Sequence, residues 1–103
     1  MIETEIRLLL DAPAHGEGAP TRSTIEHTLT AGYARAMALE AEQTRLRRRM
    51  TELAVYAANE DVESHASELR AHSARLRASE RELLQLRELL RALRNRAAQT
   101  RAA

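Results

Sequence analysis

A heptad stripe that runs along one helix and then changes phase constrains this chain more than any other feature. From Ile25, apolar or small residues recur at Leu29, Gly32, Ala36, Leu39, Leu46, Met50, Leu53 and Ala57, interrupted once by Gln43. The steps alternate between four and three, so these side chains line one seam of a helix. A second stripe starts at Val62 and returns every seven residues at Leu69, Leu76, Leu83, Leu90 and Ala97. The step from Ala57 to Val62 is five, which a heptad does not contain. A straight rod would aim the two stripes at different sides. A turn near Asn59, Glu60 and Asp61 resolves the conflict by folding two long helices into an antiparallel hairpin. The rival is one continuous helix that dimerises in parallel, because the proposed turn holds neither Gly nor Pro.

The expected fold is therefore all-α. A short N-terminal helix over 1–10 carries Ile2, Ile6, Leu9 and Leu10 on one face. A flexible linker over 11–22 holds both prolines and two of the three glycines. The hairpin occupies 23–97, with a first long helix at about 24–58, the turn at about 59–61 and a second long helix at about 62–95. A frayed tail at 98–103 follows. Ser23 and Glu26 have the spacing of a capping box, in which each side chain satisfies a free backbone N–H. Asn59 can end a helix in the left-handed region, and Asp61 can cap the next.

The two arms complement each other if position i lies opposite 119 − i. Gly32, Tyr33 and Ala36 then meet Leu83, Leu86 and Leu90, while Leu46, Met50 and Leu53 meet His65, Ala66, Leu69, His72 and Ser73. Large against small is what interdigitation requires. The second helix still has more leucine than one seam can use, because Leu83, Leu84, Leu86, Leu89, Leu90 and Leu93 wrap well over a third of its circumference. The short N-terminal helix, a second copy in a four-helix bundle, or another protein must cover the excess.

Charge is arranged more tellingly than its sum of +1 suggests. Residues 1–20 hold four acids and one Arg, and residues 59–68 hold four acids and no Arg. Residues 69–103 hold nine Arg and three acids, so the second helix is a basic arm. Arg87, Arg91 and Arg94 share one of its faces and would rim the leucine surface. Every basic residue is Arg and none is Lys, which suits a GC-rich genome and, on a functional reading, bidentate carboxylate or phosphate pairing.

Several function classes find no support. There is no nucleophile with an adjacent base, no glycine-rich phosphate loop and no metal-ligand cluster, so no enzyme, cofactor or metal site is expected. His65 and His72 are two turns apart, roughly 10 Å by helix rise, too far to share a metal. They fit better as flanks of the seam with one edge wet. Gln43 fits a register-setting role. Arg45, Arg47, Arg48 and Arg49 point around most of a helix and form no flat patch. With two Tyr as the only aromatics and a nearly neutral chain, nucleic-acid binding through the arginine faces is a lesser alternative. No apolar run approaches the roughly 18 residues of a membrane span, and the start lacks a basic signal region, so a cytoplasmic protein without membrane contact is expected.

Glu63, Ser67 and Arg70, and Glu40, Thr44 and Arg47 with Thr in place of Ser, share a spacing on the two long helices. This spacing resembles the motif of actinobacterial anti-sigma factors, helical hairpins that bind cyclic di-GMP. The family's Gln and Asp are absent: Thr51 and Val55, and Ala74 and Ala78, stand at those positions. The resemblance implies an anti-sigma-like hairpin regulator whose degenerate motif binds a protein without the nucleotide.

The reading that follows is a non-catalytic, cytoplasmic helical interaction module, regulatory or scaffolding and expected to be a homodimer. Its partner, another protein or a second copy, would dock on Leu83, Leu84, Leu86, Leu89, Leu90 and Leu93, rimmed by Arg87, Arg91 and Arg94.

Overall fold

Three helices account for almost all of the described chain, which comprises residues 1–56 and 62–102 of a computed structural model. Helix α1 is Ile2–Asp11, α2 is Arg22–Tyr56 and α3 is Val62–Ala102, and no strand occurs among the described residues. The expected turn at 59–61 lies outside the described residues. Among the described residues, no helix is long and apolar enough to cross a membrane. Packing divides the chain into two compact units, Met1–Met37 with Leu84–Ala103, and Ala38–Leu83.

In the first unit α1 is amphipathic, with Ile6 and Glu3 buried and Ile2, Leu9 and Leu10 half-buried on one side. Glu3 and Glu5 in its first turn complement the positive end of the helix dipole. Its C-terminal turn has no basic residue of its own. Arg96 of α3 supplies one, donating from Nη1 to the Leu10 carbonyl at 2.6 Å and from Nη2 to the Ala12 carbonyl. Carbonyls at a helix end otherwise lack partners, and a cation there also meets the negative end of the dipole. Beyond α1, Gly16 and Gly18 take φ of 79° and 84°, which L side chains rarely adopt.

Helix α2 begins at Arg22, two residues before the expected start at about 24, and its cap differs from the sequence expectation. The Thr21 carbonyl accepts the first helical bond from Ile25 N at 3.1 Å, and the Thr21 hydroxyl accepts from Thr24 N–H at 3.1 Å. Thr21 is thus the N-cap, and Ser23 lies inside the first turn. Pro20 brings the chain in without an N–H to satisfy, so the hydroxyl of Thr21 meets the orphan donors first. Glu26 pairs with Arg22 at 3.0 Å instead of reaching back to a backbone N–H.

The seam of α2 in this unit consists of buried Ile25, Gly32 and Ala36, with Leu29 half-buried. Opposite it on α3 are buried Leu86, Leu90 and Leu93. Gly32 makes the closest approach: a Cβ built there would stand 2.5 Å from Leu90 Cδ2 and 3.5 Å from Ile6 Cδ1. The absent side chain is therefore what lets three helices meet at one level.

In the second unit, Leu39, Gln43, Leu46 and Leu53 of α2 are buried and Met50 is half-buried. They face Ser79 and Leu83, which are buried, and His65, Leu69, His72 and Leu76, which are half-buried. Gln43 donates from Nε2 to Ser79 Oγ at 3.3 Å, a polar layer within the apolar seam. Arg49 bonds Glu68 and Arg75 bonds Glu42, at 3.2 and 3.0 Å, so rising numbers on α2 meet falling numbers on α3. The two segments run antiparallel within this unit.

The index sum of seam partners is 122, both for Gly32 with Leu90 and for Gln43 with Ser79. The expected pairing of 119 − i is thereby corrected. A sum of 119 would set Gly32 against Arg87, which is off the seam, whereas interleaving needs seam residues on both sides. Val62, expected to open the second stripe, is 64% exposed. Helix α3 also continues to Ala102, past Asn95, where its end was expected.

Candidate functional site

Heptad letters order the helix faces. In α2, Leu29, Ala36, Gln43 and Met50 are a positions, and Ile25, Gly32, Leu39, Leu46 and Leu53 are d positions. In α3, Leu69, Leu76, Leu83, Leu90 and Ala97 are a, and His72, Ser79, Leu86, Leu93 and Thr100 are d. Positions e and b then lie on one flank of the seam and g on the other.

The nine residues expected to bind a partner are split by this geometry. Leu83, Leu86, Leu90 and Leu93 are 5%, 0%, 3% and 0% exposed, so they belong to the chain's own core and offer no area to a partner. The physical reason is that a and d positions face α2, and α1 adds Ile6 above Leu90. Leu89, at g, is half-buried on the flank where Arg96 holds the end of α1. Leu84, at b, remains 63% exposed, and Arg87, Arg91 and Arg94 at e and b are exposed with it. The residues expected as a rim are thus the middle of the accessible face.

Two residues that sequence reasoning did not assign to this surface complete it. Tyr33 at e and Met37 at b of α2 are 40% and 70% exposed. The Arg94 guanidinium donates to Tyr33 Oη at 3.3 Å, which places the e flank of α2 beside the e flank of α3 within the first unit. The signal was available in the heptad letters, since e meets e in an antiparallel pair. The pairing of 119 − i hides it, because that pairing sets Tyr33 in the packed small end of its helix.

The same flank holds a notch of about 80 Å³ between Ile25, Leu29 and Ala97, rimmed by Arg22, Glu26 and Arg94. That exceeds the roughly 30 Å³ share of a single water and has an apolar floor. The flank is therefore a strip that carries Tyr33 and Met37 on α2, Leu84 and three arginines on α3, and a notch at one end. Such a face can bury an apolar side chain and pair with carboxylates.

The second unit offers different chemistry. Arg49 bonds both Glu68 and Glu52, and these hydrogen bonds, Glu68 first, hold its guanidinium above its ordinary pKa. Arg45, Arg49, Arg75 and His72 border an open groove with Glu42 and Leu46. Its charges are largely matched inside the groove, because Arg75 bonds Glu42 and Arg49 bonds Glu68. His72 places Nε2 3.6 Å from Glu68 Oε1, while its Nδ1 is buried with no hydrogen-bond partner. No group of three or more His, Cys, Asp or Glu that could hold a metal occurs among the described residues.

The spaced residues Glu40, Thr44 and Arg47, and Glu63, Ser67 and Arg70, are all exposed. The Thr44 hydroxyl donates to the Glu40 carbonyl at 3.1 Å, a bond within its own helix. No family model matches the chain, and no curated protein or solved structure matches it either.

Proposed function

We propose that this chain is a non-catalytic helical interaction module whose first unit grips an acidic, amphipathic helix of a protein partner. The observation that carries the reading is the exposure of Tyr33, Met37 and Leu84 beside Arg87, Arg91 and Arg94 on one flank. Exposed apolar ground bordered by charge is a feature of protein-binding surfaces. The arginines would steer an acidic partner and set specificity, with the apolar ground contributing more of the affinity. In the same proposal α2 and α3 form an antiparallel hairpin, which holds the strip rigid. The antiparallel pairing of α2 with α3 inside the second unit supports that reading.

The test uses two synthetic amphipathic helices with the same leucine face, one flanked by Glu and one by Lys. Titration by calorimetry should show binding of the Glu-flanked helix, weakening as salt rises. A Met37→Glu, Leu84→Glu variant should keep its melting temperature, since both side chains are exposed, and lose binding at least tenfold. Equal binding of both peptides, or no binding of either, would overturn the reading. Duplex DNA bound as tightly as the Glu-flanked helix would reassign the arginines to phosphate recognition.

A further inference from the structure

A second exposed apolar face lies on α1, and it has the opposite charge. Residues on the outer side of α1 are Met1, Thr4, Glu5, Leu8 and Asp11; Met1 is 85% and Leu8 66% exposed. Their spacing puts Leu8 at the centre with carboxylates before and after it. The inner side of the same helix is already occupied, with Glu3 and Ile6 buried. The protein therefore presents one acidic apolar helix face and one cationic apolar strip.

We infer that the outer face of α1 from a second copy of this chain occupies the strip formed by Tyr33, Met37, Leu84, Arg87, Arg91 and Arg94. This rests on the reading of the strip as a protein-binding face and names its occupant. Charge complementarity is the first argument, because Glu5 and Asp11 would meet Arg91 and Arg94. Dimensions are the second: the ten residues of α1 span about 15 Å, and Ile25 to Met37 on α2 spans about 18 Å. The third is that one contact covers the exposed apolar faces of the first unit at once; Val55, Tyr56 and Val62 are exposed in the second unit and take no part.

The geometry also determines how such copies assemble. Arg96 holds the end of α1 on the g flank of α3, whereas the strip lies on the e flank with Arg94. A single neighbour cannot take both faces, so the contact joins unlike surfaces and grows head to tail instead of closing as a two-fold dimer. The area is small for a stable interface, so growth depends strongly on concentration.

The experiment is size-exclusion chromatography with in-line light scattering across a hundredfold range of concentration, on the full chain and on Leu8→Glu and Leu84→Glu variants. Helical melts confirm that the variants fold. The expected result is a mass that climbs past two copies for the parent and stays at one copy for each variant. An equimolar mixture of the two variants should stop at two copies, because it holds one intact pair of surfaces. Association that survives Leu8→Glu but not Leu84→Glu keeps the strip and overturns α1 as its occupant. Association unchanged in both variants overturns the strip as well. A parent chain monomeric throughout, or a variant mixture that stays at one copy, overturns the inference while the peptide titration still stands for the strip.

Discussion

The two units solve the same packing problem with different resources. In the first, three helices meet, and leucines on α3 are buried fully: Leu86 and Leu93 are 0% exposed and Leu90 3%. In the second, α2 meets α3 alone, and no α3 side chain from 62 to 78 is buried. Its α2 leucines are nonetheless covered, with Leu39 and Leu53 each 1% exposed. The difference teaches that a helix pair can bury large residues on one partner beneath small or amphipathic ones on the other. In the first unit the large residues lie on α3 against Gly32 and Ala36 of α2, and α1 adds Ile6 as a third wall. Since a fully buried leucine contributes about 1.5–3 kcal/mol, the first unit holds the denser apolar core.

The sharpest way to break that contrast is to remove a leucine from each unit. Leu86→Ala should cost about 2–5 kcal/mol in urea unfolding, and Leu69→Ala, half-buried in the second unit, less than half as much. Equal costs would mean that the third helix adds nothing to the first core. Next is Arg96→Ala, which strips the end of α1 of its two carbonyl contacts and should cost about 1.5–3 kcal/mol. Amide exchange should accelerate in α1 before it does elsewhere.

Gly32→Ala sets two effects against each other. Helix propensity favours Ala by about 1 kcal/mol. Overpacking against Leu90, whose Cδ2 would lie 2.5 Å away beneath Ile6, costs about 1–3 kcal/mol. The net should be destabilising by about 1 kcal/mol, and a stabilised variant would show that the three-helix level is looser than its distances say. Thr21→Ala should cost about 1 kcal/mol through the lost cap, and Ser23→Ala no more than a few tenths. The reverse order would return the cap to Ser23.

The smallest effect belongs to the exposed charges of the second unit. Arg49 titrates above its ordinary value in the folded chain, so its contribution is fully present below that value. It is lost only as pH rises through the higher folded value, and urea midpoints should therefore show no pH dependence from Arg49 between mild acid and mild base. Added salt should weaken its pairs with Glu68 and Glu52 by an amount near the limit of measurement.

All-helical architecture was legible because the heptad spacing from Ile25 to Leu53 has one physical meaning. Every described member of that stripe is buried or half-buried. Gln43 was legible as the polar break in the seam, but Ser79, its partner, was not, since a serine off the chosen seven-residue line carries no apolar signal. The leucine surface was readable only as an excess. Which leucines were spare depended on what α2 and α1 cover, and of that run only Leu84 stays exposed while Leu83, Leu86, Leu90 and Leu93 are buried.

Composition and periodicity by themselves determined that this chain forms long amphipathic helices with a polar layer in one seam and arginine along one arm. Both are local properties, set by steps of three and four along a helix. Only the tertiary structure decided that Leu90 enters the gap left by Gly32 and that Arg96 closes the end of α1 from 86 residues away. The same packing left Tyr33, Met37 and Leu84 uncovered beside the arginines. Those outcomes turn on which faces meet, and a helix's own sequence states which residues share a face without stating what that face will touch.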